Sequence, residues 1–305
     1  MLNQPAPWQA DVAAQELLTV SDWIRATASA LSACGAVFGQ GTTNAIDEAR
    51  WLVLGTLRLP LDIDHQFDQA RLLPHERAHV ARHVAARVTD RRPTAYILGE
   101  AWLLGLRFRS DPRAIIPRSY LAEVMQDDIF GLDAPPRRIL DLCTGSGCLA
   151  IQAALQWADS AVVASDISAD ALALARENIA DYGLEQQIEL RQADLFSGFP
   201  PDERFDLILC NPPYVPAQKV DALPPEFQAE PGLALGSGVD GMDFIRRLLQ
   251  SLPSVLSDQG RLLCEVGFEQ ATCERLFEAA FPTLSPLWIE ASQPNGAVFS
   301  LGVSK

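Results

Sequence analysis

The sequence predicts an α/β protein: a mostly parallel sheet with helices on both faces, following a small helical domain. Three observations predict it. Between residues 138 and 280, short apolar runs alternate with helical periodicity: R-I-L-D-L, a helix over 148–157, A-V-V-A-S-D, a helix over 169–182, I-E-L-R-Q-A-D, F-D-L-I-L-C-N, a helix over 241–256, R-L-L-C-E-V-G and a helix over 269–280. Such alternation is what parallel strands joined by helical crossovers require. Residues 8–90 carry helical periodicity alone, while P-L-W-I-E-A-S-Q-P-N-G-A-V-F-S-L-G-V reads as two strands about Asn295-Gly296, an antiparallel hairpin that finishes the sheet.

Taken in order, residues 1–90 form the helical domain. Their apolar faces run through Leu17, Leu18, Trp23 and Ile24, then Ala45, Ala49, Trp51 and Leu52, then Val80, His83, Val84 and Val88. Ser21 with Asp22, Thr42-Thr43-Asn44 and Pro74 signal helix starts. Residues 91–118 read as a β-hairpin linker: W-L-L-G-L-R-F-R, the turn candidate S-D-P-R, then A-I-I-P closing at Pro117. Residues 119–305 form the larger domain, where Gly183 stops the helix over 169–182.

Composition narrows the function classes. With 48% hydrophobic and 21% charged residues among 305, the chain is that of a globular protein long enough for two domains. Twenty-four basic against 39 acidic residues give a net charge of −15, which repels polyanions and favours a basic protein substrate. No run of Lys and Arg supplies a nucleic-acid face, so no direct nucleic-acid specificity is expected. The N-terminus shows no leader, and no stretch reaches the ~18 apolar residues of a membrane span, so a cytoplasmic location without membrane partners is expected. The six cysteines sit mostly inside apolar patterns and are read as reduced, buried thiols.

D-L-C-T-G-S-G-C-L-A leaves a strand and enters a helix through Cys143, Thr144, Gly145, Ser146 and Gly147, with Asp166 and Ile167 ending the next strand. The glycines admit a close backbone approach to a ligand, and a carboxylate at the second strand end accepts from both ribose hydroxyls, so an adenosine cofactor is expected. Asp141 discriminates among them. At the mouth of the turn it repels a pyrophosphate but attracts a sulfonium and an ammonium, which favours S-adenosyl-L-methionine over NAD. Asp194 ends the third strand in Q-A-D-L; either it accepts from the adenine amino group while Leu195 packs the base, or it is a solvated strand end.

Residues 208–215 read I-L-C-N-P-P-Y-V, an apolar strand running straight into Asn211, Pro212, Pro213 and Tyr214. Proline donates nothing to a ladder and keeps the preceding residue extended, so Asn211 stands at a strand end with its side chain free. A carboxamide or nucleobase amine is a poor nucleophile because its lone pair is delocalised. Asn211 Oδ1 and the Pro212 carbonyl can accept its two hydrogens while Tyr214 stacks on the planar group. Positioning then carries the catalysis, and no strong base is required.

D-L-C-T-G-S-G, S-D-I-S, A-D-L-F and N-P-P-Y-V together resemble the HemK-like class I methyltransferases that modify glutamine side chains. The likeness extends over roughly residues 90–305 through Arg92-Pro93, Tyr96, Gly99, I-P-R-S and E-P-G-L-A-L-G-S-G-V-D-G-M. It implies a Rossmann-like seven-stranded sheet whose last strand is antiparallel, and an N-terminal helical domain that recognises a protein substrate. Release-factor methyltransferases of this family usually read I-P-R-P-x-T-E and D-W-F. Ile116-Pro117-Arg118-Ser119 resembles instead the branch acting on a glutamine of large-subunit ribosomal protein L-three, with a release factor as the alternative substrate. Tyr120 departs from the proline expected there. Arg118 either pairs with a carboxylate near the cofactor or forms a purely structural ion pair.

Three rival readings stand beside this one. H-E-R-A-H, residues 75–79, matches the zinc-protease pattern, but no histidine follows His83 to complete a ligand set, and no metal is expected. An adenine-N6 nucleic-acid methyltransferase shares the Asn-Pro-Pro-Tyr chemistry but needs a phosphate-tracking surface. A catalytically silent scaffold has no use for Asp141, Asp166 and Asn211.

Overall fold

The computed structural model describes residues 8–127, 132, 134–290 and 297–302, in two compact units. The first comprises the residues up to Ala101 together with Pro224–Ala229; the second runs from Trp102 to Leu223 and resumes at Glu230. The division therefore falls after Ala101 rather than at residue 90. The inclusion of 224–229 in the helical unit has no counterpart in the sequence reading.

In the first unit, α1 (Ala10–Glu16), α2 (Val20–Ala33), α3 (Ala45–Leu57), α4 (Pro74–Val88) and α5 (Thr94–Leu98) follow in order, around a core of Trp23, Leu52, Leu54, Val80 and Val84. Thr19, not Ser21, caps α2: its hydroxyl accepts from the Asp22 N–H at 3.1 Å, and Asp22 accepts from the Thr19 N–H at 2.9 Å. Asn44 caps α3, and Pro74 opens α4. Arg87 is 1% exposed and pairs with Glu48 and with Glu226 of the short turn Pro225–Gln228. Glu226 also accepts from Arg91 Nε at 2.8 Å and the Val37 N–H at 3.1 Å. On α4, His83 Nδ1 lies 2.8 Å from the Thr56 hydroxyl and its ring 4.4 Å from that of His79. Burial first, then the neighbouring positive groups, lowers the His83 pKa to about 4. Among the described residues no group of three or more His, Cys, Asp or Glu can hold a metal ion.

The hairpin consists of β1 (Glu100–Leu103) and β2 (Leu106–Arg109). Its tip is Leu104-Gly105, both with positive φ, 48° and 80°, as a two-residue turn matching strand twist demands. The S-D-P-R stretch is thus a separate turn beyond the hairpin, where Asp111 accepts from the Arg113 N–H at 3.0 Å.

The second unit contains α6 (Tyr120–Asp127), β3 (Arg138–Leu142), α7 (Cys148–Gln156), β4 (Ala161–Asp166), α8 (Ala169–Asp181), β5 (Ile188–Gln192), β6 (Phe205–Cys210), α9 (Asp243–Ser251), β7 (Leu256–Gly267), α10 (Gln270–Ala280), β8 (Leu287–Glu290) and β9 (Ala297–Gly302). Seven strands pair in the order β5-β4-β3-β6-β7-β9-β8. β3 to β7 are parallel and β9 runs antiparallel between β7 and β8. The Asn295-Gly296 turn lies outside the described residues. α9 ends earlier than its periodicity suggests because Pro253 has no N–H to continue it. Strand alternation sends Leu140, Ile208 and Leu262 into one core with Ile245 and Leu248, and Ile139, Leu207, Leu209 and Leu263 into another with Leu121 and Ile151. All six cysteines are free, four of them buried. No described helix is long and apolar enough to cross a membrane.

Candidate active site

The strand order reverses between β3 and β6: one half of the sheet grows outward through β4 and β5, the other through β7. Ligands of open α/β sheets bind outside the carboxyl ends of the strands at such a point. Both sequence motifs are there, the glycine turn following β3 and Asn211 following β6. Beside them lies a cavity of about 260 Å³ whose walls include Cys143, Gly145, Asp166, Ile167, Leu195 and Asn211.

The turn is built for close approach. Gly147 has φ +81°, where a side chain is strained, and a Cβ there would crowd Ala175 Cβ at 3.2 Å, between α7 and α8. Cys143 and Leu195 hold positive φ, 61° and 53°, each costing on the order of 1–3 kcal/mol. Both line the cavity. Asp166 accepts from the Gly145 N–H and the Ser168 N–H, each at 2.9 Å, so each carboxylate oxygen keeps lone-pair capacity for a ligand hydroxyl. Burial raises its pKa against those backbone donors. Asp194 lines the cavity too, and Arg247 Nη2 donates to its Oδ2 at 2.9 Å, so it is neither bare nor merely solvated.

Asp141 is not at the mouth of the turn. Period-two alternation puts it on the sheet face that α7 covers, fully buried, where Oδ2 accepts from the Ala150 N–H at 3.0 Å and the Thr144 hydroxyl at 2.5 Å. It caps α7 from the strand, a task that Gly147 at the N-cap has no side chain to perform. The electrostatic choice of cofactor assigned to Asp141 therefore rests on a charge that does not face the cavity. Thr144, Ser146 and Gly147 likewise support the turn without lining the cavity.

Burial raises the Asp141 pKa to about 7, outweighing the donors from Thr144 and Ala150. An acid whose folded pKa is raised holds a proton that the unfolded chain releases, so stability falls as pH rises from about 4 to about 7. Asp141→Asn removes that dependence. Denaturant unfolding at about pH 5 and about pH 7 is expected to show the variant gaining on the wild type by on the order of 2 kcal/mol. Parallel pH profiles would show Asp141 ionised throughout.

Asn211 and Pro213 reach the cavity, with Pro212 buried behind them and Tyr214 half-buried. The Asn211 Nδ2 faces the Arg118 carbonyl at 3.5 Å, which leaves Oδ1 as its uncommitted acceptor. Arg118 is fixed in turn: its guanidinium forms a two-pronged pair with buried Glu230, which also accepts from the Ile116 N–H at 3.1 Å. Since Pro231 lines the cavity, the carboxylate that holds Arg118 stands next to it. Glu230, beside the cavity-lining Pro231, escapes the sequence analysis although it sits in a visible signal, the E-P-G stretch.

A Rossmann-like sheet with a glycine turn at its switch point and Asn-Pro-Pro-Tyr on the adjoining strand defines a methyltransferase. The methyltransferase small domain family matches residues 119–230. A relative from Bordetella pertussis named "Ribosomal protein uL3 glutamine methyltransferase" is 46% identical over 94% of this chain and 96% of its own length. Relatives of the same name from Burkholderia pseudomallei and Neisseria gonorrhoeae are 43% and 44% identical, covering 100% and 95% of this chain and 98% and 96% of their own. The chain belongs to the family of ribosomal protein uL3 glutamine methyltransferases. A solved hMettl16 catalytic domain, in complex with a MAT2A 3′UTR hairpin, shares the fold at 16% identity, TM-score 0.50, over 73% of this chain and 80% of that one.

Proposed function

We propose that this enzyme transfers a methyl group from S-adenosyl-L-methionine to the side-chain nitrogen of a glutamine in ribosomal protein uL3. The observation carrying the chemistry is Asn211 at the cavity wall with Nδ2 turned to Arg118 and Oδ1 left to accept. When bound, the cofactor supplies an electrophilic methyl on a cationic sulfur. Asp166 would accept from its ribose hydroxyls, Ile167 and Leu195 would flank its base, and Asp194 would accept from the adenine amine through the oxygen not committed to Arg247. On the acceptor side, Asn211 Oδ1 and the Pro212 carbonyl would each accept a hydrogen bond from one amide N–H, one of these protons leaving as the nitrogen gains the methyl, and the Tyr214 ring would hold the amide plane. Two acceptors and one flat wall suit an NH2 group on a planar carbon, such as that of a primary carboxamide; positioning of this kind is worth up to ~7–11 kcal/mol.

The acceptor's identity is supported by the relatives' names and by a net charge of −15, which favours a cationic partner. Purified enzyme is expected to move isotope-labelled methyl from S-adenosyl-L-methionine to uL3. Preferential labelling of a release factor instead would shift the substrate to the alternative within the same chemistry.

A further inference from the structure

β6 and β7 pair with Cys210 opposite Cys264, so Asn211 leaves the end of β6 where β7 continues into Glu265. Glu265 is 3% exposed. Its Oε2 accepts from the Ser119 hydroxyl at 2.6 Å and the Tyr120 N–H at 2.9 Å, while Oε1 lies 3.5 Å from the Tyr214 hydroxyl. Two residues on, Gly267 has φ +49°, and a Cβ there would come within 2.9 Å of the Tyr214 ring and hydroxyl. The ring thus rests on bare backbone with its hydroxyl directed at a carboxylate. Asn211 is held from the same stretch, since its Nδ2 faces the carbonyl of Arg118, immediately before Ser119.

A buried carboxylate is costly, and an apolar residue could fill the same volume. Burial raises the pKa of Glu265 in spite of the Ser119 and Tyr120 donors, which marks the cost of keeping it there. We propose that Glu265 is a positioning residue for methyl transfer: anchored by Ser119, it fixes the Tyr214 ring, backed by Gly267, as the wall against which the target amide lies. The inference rests on the glutamine reading above and names the part of the chain that sets the acceptor's plane. Glu265 touches no reacting atom; it acts through Tyr214.

The test compares Glu265→Ala with the conservative Glu265→Gln, using crystal structures, calorimetric affinity for S-adenosyl-L-methionine, and kinetics on uL3. In Glu265→Ala the Tyr214 ring is expected to leave its place on Gly267, with kcat roughly 10- to 100-fold lower, KM for uL3 raised and donor affinity unchanged. Glu265→Gln keeps an oxygen for Ser119 and Tyr120, and is expected to retain the ring and recover most of the rate. Ser119→Ala removes one anchor and gives a smaller loss of the same kind if the Ala variant does not fold. A Tyr214 ring that stays in place without the carboxylate overturns the proposal, whatever the enzyme methylates. So does a displaced ring with undiminished transfer, or a loss of donor affinity matching the loss of rate. Should the wild type transfer nothing to uL3, the substrate reading fails separately, and the ring's position still decides the role of Glu265.

Discussion

Asn211→Ala is expected to lower kcat by at least about 10²–10³-fold while S-adenosyl-L-methionine affinity stays within a few-fold of wild type. Removing one oriented polar group from a site that works by positioning typically costs that much. Asn211 touches the cavity wall, but no backbone group of the glycine turn depends on its side chain, whereas Asp166 accepts from the Gly145 and Ser168 N–H groups. Asp166→Ala therefore serves as the counterpart, weakening the donor first. Steady-state kinetics with calorimetry on both variants separates the two sides of the site. If donor affinity collapsed in Asn211→Ala as it does in Asp166→Ala, the division between donor and acceptor residues would be wrong.

The second large effect lies in the helical unit. Arg87→Ala is expected to destabilise that unit by about 3–5 kcal/mol, because it strands two buried carboxylates, Glu48 and Glu226, whose charges Arg87 offsets. Glu48 keeps its hydroxyl donors, Thr42 at 2.8 Å and Thr94 at 2.9 Å, and Glu226 keeps Arg91. These soften the loss without neutralising both charges. Combining Arg87→Met with Glu48→Gln and Glu226→Gln removes the unpaired charges and is expected to recover much of the stability. Urea unfolding followed by near-ultraviolet circular dichroism measures both. An Arg87→Ala midpoint unchanged from wild type would mean that the cluster is solvated and adds little.

The parallel sheet was readable in sequence because each buried strand is a short apolar run between helix signals, and period two or 3.6 decides which is which. Its register was equally visible in principle. Yet period two also places Asp141 under α7, so its nearness to Gly145 in sequence is no guide to where its side chain lies. Leu104-Gly105 is hard to read as the hairpin tip because leucine rarely takes positive φ, whereas S-D-P-R looks like a turn and is one, only later in the chain. Asn211 and Asp166 were legible because a strand end next to a proline pair or a glycine turn is a local signal. Glu230, Glu265 and Glu226 were not, because a buried glutamate is identified by partners far off in sequence: Arg118, Ser119 and Arg87.

The Asn-Pro-Pro-Tyr corner is proposed to methylate a glutamine side chain in uL3. Tandem mass spectrometry of uL3 from cells with and without this chain tests it most directly. A one-methylene mass increment on a single glutamine side-chain nitrogen is expected with the chain, is lost without it, and is lost again when Asn211→Ala replaces the wild type. An increment that persists without the chain, or that maps to another residue type, would contradict it.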